Sequence, residues 1–311
     1  MTHLTSPDGT PAGRFAFGTM QFGGTADAAA SQALFDICRS AGITHFDTAY
    51  IYTNGASETL LAPMIKAERE QLLIATKAGY QGGGGHDNIL KQFDISRTRL
   101  DLDVIDILYL HHYDPSDDLT ETLSAFAKLK DAGKIRYIGL SNMAAWQVMK
   151  AIGIATNFGV TIDILQPRYN LVKRQAEVEI LPMCADQGIS VASYSPLGGG
   201  LLTGKYARGD EGRLSSDDRY AKRYGQSFMR DAAARLGDLA TELGTDPATL
   251  AVAWTAAHPT APMPIISARS PLQLQPSLDG MTFEMTGEIY ARIAALSPTP
   301  PPATDRTEEA G

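Results

Sequence analysis

The chain is predicted to fold as a closed α/β barrel of the (β/α)8 type, with parallel strands ringed by helices. Three observations carry that expectation: short apolar runs alternate with amphipathic stretches from end to end, eight such runs occur, and no linker-like composition interrupts them. The strand candidates are FAFGT at 15–19, ITHF at 43–46, LLIATK at 72–77, VIDILYL at 104–110, RYIGLS at 136–141, IDILQ at 162–166, ISVASY at 189–194 and MPIIS at 263–267. Ahead of the first, LTSPDGTPAGRF places a Pro-Asp-Gly turn between extended flanks, which predicts a short N-terminal hairpin plugging the barrel floor. GYQGGGGHDN at 79–88 has the glycine spacing of neither a Rossmann turn nor a phosphate loop and is expected to be a flexible strand-to-helix connection. After the seventh strand comes a connection of about seventy residues, far beyond an ordinary loop. It is Gly-rich and charged, with helix-like segments from near Arg230 and from Pro247, and is expected to act as a lid or ligand clamp. One domain over 1–296 is expected, followed by a Pro-rich, acidic tail at 297–311 that should be extended, disordered and dispensable.

At 311 residues the length suits one barrel as well as two ordinary domains, so the strand pattern decides. Net charge is −8 with no basic run, which makes nucleic acid and anionic membranes poor partners and a small molecule the better one. Cys38 and Cys184 lack metal or redox spacing and read as buried free thiols in a reducing compartment. MTHLTSPDGTPAG has no basic region followed by an apolar core, and no stretch approaches a membrane span, so a cytoplasmic location is expected.

Asp47, Lys77 and His111 stand where apolar runs break off, and Tyr52 follows Asp47 by five residues. Taken singly, a satisfied core Asp or an N-cap is commoner than a catalytic group. Together at strand ends they point to chemistry, because barrel enzymes place it there. A phenol with a pKa of about 10 exchanges protons poorly near neutrality. Lys77 beside Tyr52 is expected to lower that value, while Asp47 keeps the lysine charged and fixed, and His111 orients a carbonyl. Such a site donates a proton to an oxygen becoming an alkoxide. No side chain supplies a hydride, so an organic cofactor must. Ser141, Asn142 and Gln166 could hold a carboxamide, and Tyr194 could stack on a nicotinamide. Ser195, Leu197 and the following glycines could approach a pyrophosphate, with Lys205 near its charge. A metal hydrolase built on His45, Asp47, His111 and His112 is the rival reading, but too few ligands converge, and no metal site is expected.

At this point the sequence resembles the aldo-keto reductases. GITHFDTAYIY matches the family's motif around Asp47 and Tyr52, and ATKAG, DILYLHHYDP, KIRYIGLSN, LQPRYN and YSPLGGGLLTGKY follow in family order, so the resemblance runs from Gly18 to about Leu278. AAWQV and GGGLLTGKY look most like the aflatoxin-aldehyde and succinic-semialdehyde reductases and related bacterial members. The resemblance implies that Asp47, Tyr52, Lys77 and His111 form a catalytic tetrad, with Tyr52 as general acid in reducing an aldehyde or ketone to an alcohol. It implies cofactor contacts at Thr19, Met20, Asp47, Ser141, Asn142, Gln166, Tyr194, Ser195, Pro196, Leu197, Gly198 and Lys205. It further implies a substrate pocket around Met20, Phe22, Tyr52, Tyr80, His112, Tyr113 and Trp146, with Tyr50 nearby. The sequence departs from the family pattern where a Lys and an Arg often clamp a 2′-phosphate: PIISARSPLQLQPS offers Ser267, Arg269 and Gln273, with Pro276 and Ser277 in place of a common Glu-Asn. NADPH is expected on the strength of Arg269, with NADH as the alternative. Two other activities are compatible with the family: NAD(P)-dependent oxidation of a sugar or other hydroxyl or lactol, and a cofactor-binding regulatory role like that of potassium-channel β-subunits. Which carbonyl compound is taken depends on loop shapes at the barrel mouth, and oligomeric state is not encoded in these motifs.

Overall fold

The structure is a computed structural model that describes residues 3–206, 209–210, 212–306 and 308. Eight strands form a closed parallel barrel in sequence order: β1 Ala16–Gly18, β2 His45–Asp47, β3 Leu73–Ala78, β4 Ile105–Leu110, β5 Ile135–Ser141, β6 Ile164–Gln166, β7 Ser190–Tyr194 and β8 Met263–Ile266. All eight lie within one or two residues of the expected runs. Parallel strands covered on both faces read as continuous apolar segments, which is why this pattern survives in the sequence. Leu4, Ala16, Leu73, Ala75, Ile107, Tyr109 and Ile164 pack together inside the barrel. A larger core lies between strands and helices.

Helices α1 Ala28–Ser40, α2 Ala56–Ile65, α3 His86–Arg99, α4 Leu119–Asp131, α5 Ala145–Thr156 and α6 Ile180–Asp186 follow β1 to β6 in turn. Their starts are set by local chemistry: Asp27 accepts from the Ala30 amide and Asp118 from that of Thr120, each at 2.8 Å. After β7 come α7 Arg213–Ser216, α8 Asp218–Arg223, α9 Ser227–Glu242 and α10 Pro247–Ala256, and after β8 come α11 Pro271–Thr282 and α12 Gly287–Ala294. The long connection is therefore largely helical. Its α10 starts at Pro247 as expected, and α9 begins three residues before Arg230. The expected loop at 79–88 is shorter and more constrained than its glycines suggested. Helix α3 starts at His86; the Asn88 amide donates to the Gln81 carbonyl at 2.8 Å and Gln92 accepts from the Gly79 amide at 2.9 Å.

The floor carries the expected hairpin, with Thr5 bridged antiparallel to Pro11 and the Ala12 amide bonded to Leu4 O at 2.9 Å. Leu4 is fully buried in the barrel interior. Wholly buried Asp106 anchors this end, pairing with Arg69 at 2.9 Å and Arg136 at 3.0 Å, and Arg136 reaches on to Thr5 O at 2.7 Å. Residues 298–306 form no helix or strand, and the carbonyls of Ala294 and Ser297 accept bonds from Arg174 at 3.0 and 3.3 Å. Cys38 and Cys184 are free and buried, and burial raises both thiols well above the usual range. Among the described residues no helix is long and apolar enough to cross a membrane.

Candidate active site

The four residues singled out at strand ends meet at the C-terminal mouth of the barrel. Asp47 closes β2, Lys77 is the penultimate residue of β3, and His111 directly follows β4. Lys77 and Asp47 are 1% and 2% exposed. Lys77 Nζ donates to Asp47 Oδ1 and, at 2.6 Å, to the Thr48 carbonyl, while Gln166 Nε2 donates to Asp47 Oδ2 at 2.8 Å. The same Nζ lies 4.9 Å from the centroid of the Tyr52 ring and 5.7 Å from that of Tyr109. Tyr52 stands edge-on to His111, with ring centroids 6.0 Å apart and planes at 83°.

Burial opposes the charge on Lys77, yet Asp47 beside it, helped by Tyr52, raises its pKa overall. The lysine is therefore an ammonium throughout the physiological range. Tyr52 departs from expectation: burial raises its pKa, and the opposing field of Lys77 is not enough to bring it below the usual value. The phenol stays protonated, as a proton donor must, and Lys77 limits the cost of ionising it. His111 is held neutral, down to about 3, by burial first and then by Lys77 and His112. Its buried Nδ1 has no hydrogen-bond partner among the described residues. His45 is likewise held down, to about 4, by burial, with Nδ1 3.2 Å from Met263 Sδ. Among the described residues no three His, Cys, Asp or Glu side chains group as a metal cage would need.

A support behind Tyr52 was not visible in the sequence. Thr53 and Asn54 take left-handed backbone angles of +47° and +55°, a costly pair for non-glycine residues, and Gly55 follows at +94°. Arg99 from α3 holds this turn, with Nη1 donating to Tyr50 O at 2.9 Å and to Glu58 Oε2 at 3.1 Å, and its guanidinium 4.8 Å from the Tyr50 ring centroid. Any Cβ at position 55 would run into that guanidinium, so only glycine fits. Fully buried Glu58 also accepts from Thr76 Oγ1 at 2.7 Å, and Thr76 precedes Lys77. One carboxylate thus ties the turn carrying Tyr52 to the strand carrying Lys77.

On the other side of the mouth, Ser141, Asn142, Gln166 and Tyr194 come together at the ends of β5, β6 and β7. Tyr194 donates its hydroxyl to Asn142 Oδ1 at 2.5 Å. Asn142 Nδ2 donates to His111 O at 2.9 Å and to Ser141 Oγ at 3.0 Å, and Ser141 donates to Gln166 O at 3.0 Å. The Tyr194 ring is thereby fixed, with Arg168 packed on it at 5.2 Å. Ser195 and Gly198 to Gly200 all have positive φ, and Pro196 and Gly198 are buried in this turn. Two of its amides are already bonded within it, Gly198 to Ser195 O and Gly200 to Leu197 O, each at 2.9 Å. Lys205 lies 4.8 Å from the Tyr206 ring centroid. Past β8, Ser267, Arg269 and Gln273 are all exposed, with Arg269 Nε 3.4 Å from Gln273 Oε1.

The expected substrate rim is only partly assembled. Tyr80 is 51% exposed and its ring lies 5.0 Å from His111 and 4.9 Å from His112. Trp146 is 61% exposed, 6.0 Å from Tyr113, and Met20 is half-buried. Phe22, expected beside the substrate, is instead fully buried against Phe17, because the β1–α1 turn folds it into the outer core. Tyr50 lies under Arg99. Thr19 is buried with its hydroxyl held by Ser57 at 2.8 Å, leaving it no side-chain face toward a ligand.

Residues 14–298 match the family model described as the aldo/keto reductase family, and the chain belongs to that family. It is 32% identical over 310 residues to the uncharacterized oxidoreductase YrpG of Bacillus subtilis (strain 168), covering 92% of this chain and 93% of that protein. It is 31% identical over 305 residues to a probable voltage-gated potassium channel subunit beta of Oryza sativa subsp. japonica, covering 91% and 92%. To aflatoxin B1 aldehyde reductase member 2 of Homo sapiens it is 36% identical over 200 residues, 62% of this chain and 56% of that protein.

The Arg99–Glu58 pair yields a stability prediction. Arg99→Met leaves Glu58 buried without its cation and should cost about 3–5 kcal/mol in urea unfolding, part of which Glu58→Gln in the same chain should restore. An Arg99→Met midpoint equal to that of the parent would show that the pair does not hold the turn.

Proposed function

We propose that this protein reduces an aldehyde or ketone to the alcohol, taking hydride from NADPH and the proton from Tyr52. The observation that carries the reading is the buried Lys77–Asp47 pair set against the Tyr52 phenol. A bound nicotinamide would deliver hydride to the carbonyl carbon. Tyr52 would give its proton to the carbonyl oxygen, and the ammonium of Lys77 would stabilise the phenolate until solvent reprotonates it. Neutral His111, edge-on to Tyr52, would orient the oxygen. The donor set on the opposite side fits a nicotinamide: Tyr194 is an immobilised ring to stack on, and Gln166, Ser141 and Asn142 are amides and a hydroxyl beside it.

The state of Tyr52 matches the proton-donating step of reduction. Its raised pKa keeps the phenol protonated near neutrality, which suits reduction, whereas oxidation of a hydroxyl needs the phenolate as base. NADPH is favoured over NADH by Arg269, whose exposed guanidinium near the start of α11 can form charge-assisted bonds to a 2′-phosphate. A second reading, a cofactor-binding regulatory subunit, draws on similarity to the rice potassium channel protein over most of the chain. Multiple turnovers with a carbonyl compound would exclude it.

The first test is Tyr52→Phe. Reduction should fall by on the order of a hundredfold or more with cofactor affinity intact, the usual worth of a general acid. Wild-type kcat should show no inflection between about pH 6 and 9, because His111 is already neutral there and Tyr52 still protonated. Near-parental turnover in Tyr52→Phe, or a fall in wild-type kcat centred near pH 7, would remove Tyr52 from the role.

Cofactor choice is tested at Arg269. Arg269→Ala should weaken NADPH binding by roughly 1.5–3 kcal/mol in fluorescence titration and leave NADH nearly unchanged. Equal losses for the two cofactors, or none, would take the phosphate contact away from this residue.

A further inference from the structure

Three cations gather on the β6 side of Tyr194 with no carboxylate among the described residues to balance them. Arg168 lies two residues past the end of β6, bridged to Tyr194 and packed on its ring at 5.2 Å, and its Nε is buried without a hydrogen-bond partner among the described residues. Lys173 closes the next turn, paired through its backbone with Asn170. Asn170 Nδ2 donates to Ser195 O at 2.8 Å and lies 3.5 Å from the Tyr224 hydroxyl. Tyr224 stacks on Tyr220 at 6.5 Å, and Arg223 covers the Tyr220 ring at 5.1 Å. A continuous set of contacts therefore leads from Arg168 to Lys173 and Arg223, and all three cations are half-buried.

Their mutual influence is visible in Lys173, whose pKa is lowered by burial and then by Arg168 and Arg223. Like charges held together away from bulk water repel, and stacking on a tyrosine offsets only about 0.5–1 kcal/mol for each arginine. The cluster is thus electrostatically unfavourable by itself, and an anion bound there would relieve it. Two anions could meet it. The adenosine end of a cofactor is expected past β8, at Ser267 to Gln273, on the other side of β7 from Arg168, whereas the turn from Ser195, where its pyrophosphate is expected, adjoins the cluster through Asn170, so NADPH affinity is the reading that separates substrate from cofactor. Tyr194 connects the cluster to the chemistry: Arg168 packs on its ring, and its hydroxyl bonds Asn142, which in turn donates to the His111 carbonyl.

We infer that Arg168, Lys173 and Arg223 form a subsite for an anionic group on the carbonyl substrate, best matched by a phosphate monoester. Three cations complement a dianion better than a single carboxylate charge, and two guanidiniums offer the planar donor pairs that phosphate oxygens take. The inference rests on the carbonyl-reductase reading and specifies its substrate class.

Glyceraldehyde 3-phosphate and glyceraldehyde, assayed with NADPH, isolate the phosphate. Wild-type KM should be lower for the phosphate ester by on the order of tenfold or more, the worth of hydrogen bonds to a charged group. Arg223→Gln and Lys173→Gln should each remove most of that difference through KM, leaving kcat, glyceraldehyde kinetics and the NADPH dissociation constant unchanged. Calorimetric titration with inorganic phosphate reads the subsite without turnover: the wild type should bind it and Arg223→Gln should bind it on the order of tenfold more weakly. Failure to reduce either aldehyde, with phosphate binding intact, would count against the carbonyl-reductase reading and leave the subsite standing. Equal KM for the two aldehydes in the wild type would overturn the subsite, as would phosphate binding unaffected by Arg223→Gln. A loss of NADPH affinity in the variants in place of the substrate effect would assign the cations to the cofactor instead.

Discussion

The buried pair between Lys77 and Asp47 is the constraint around which the rest of the mouth is arranged. Removing two such charges from water costs several kcal/mol for each ion, and mutual attraction offsets this only where the remaining donors and acceptors are also met. Here they are met by strand ends: the Thr48 carbonyl takes a second ammonium proton and the Gln166 amide the second carboxylate oxygen. Asp47 and Thr48 come from the end of β2, Lys77 from β3 and Gln166 from β6, so closing the barrel in its observed register assembles the pair. In return, the pair places a permanent cation beside the Tyr52 ring without direct access to water.

That arrangement changes how the tyrosine works. A phenol whose pKa had been pulled down toward neutrality would be partly ionised before substrate arrived. Burial prevents this, and in the proposed reduction Lys77 would act mainly on the phenolate left after proton transfer. The Arg99–Glu58 support serves the same end by geometry, indexing the left-handed turn beside Tyr52 to the strand that carries Lys77.

Most of the barrel was legible in the sequence because each parallel strand is a short apolar run set between amphipathic stretches. The gathering of side chains at the mouth was legible because Asp47, Lys77 and His111 stand where such runs break off. What stayed hidden depends on contacts distant in sequence. Arg99 and Glu58 are 41 residues apart and each looks like an ordinary helix charge. Phe22 was misjudged because a loop aromatic near a strand end can turn either way, and only the packing of Phe17 shows that it turns inward. The net pKa of Tyr52 could not be read from its neighbour Lys77 alone, because burial is a property of the folded mouth. The insertion was recognised by its length, but not the face of α8 that it presents. Gly199, at φ +67°, is where that helix comes close: a Cβ there would stand 2.7 Å from the Tyr220 ring, so the glycine admits the tyrosine.

The central claim is that Lys77 serves the reaction as a charge and does not merely complete the fold. The most direct test is a cycle of Lys77→Met, Asp47→Asn and the double variant, each followed by urea midpoint and by turnover of an aldehyde with NADPH. Lys77→Met should lose stability because Asp47 is left buried and unpaired, and the double variant, with no charge to satisfy, should recover much of it. Turnover should remain lost in both. Recovery of turnover together with stability in the double variant would contradict the account and reduce the pair to scaffolding.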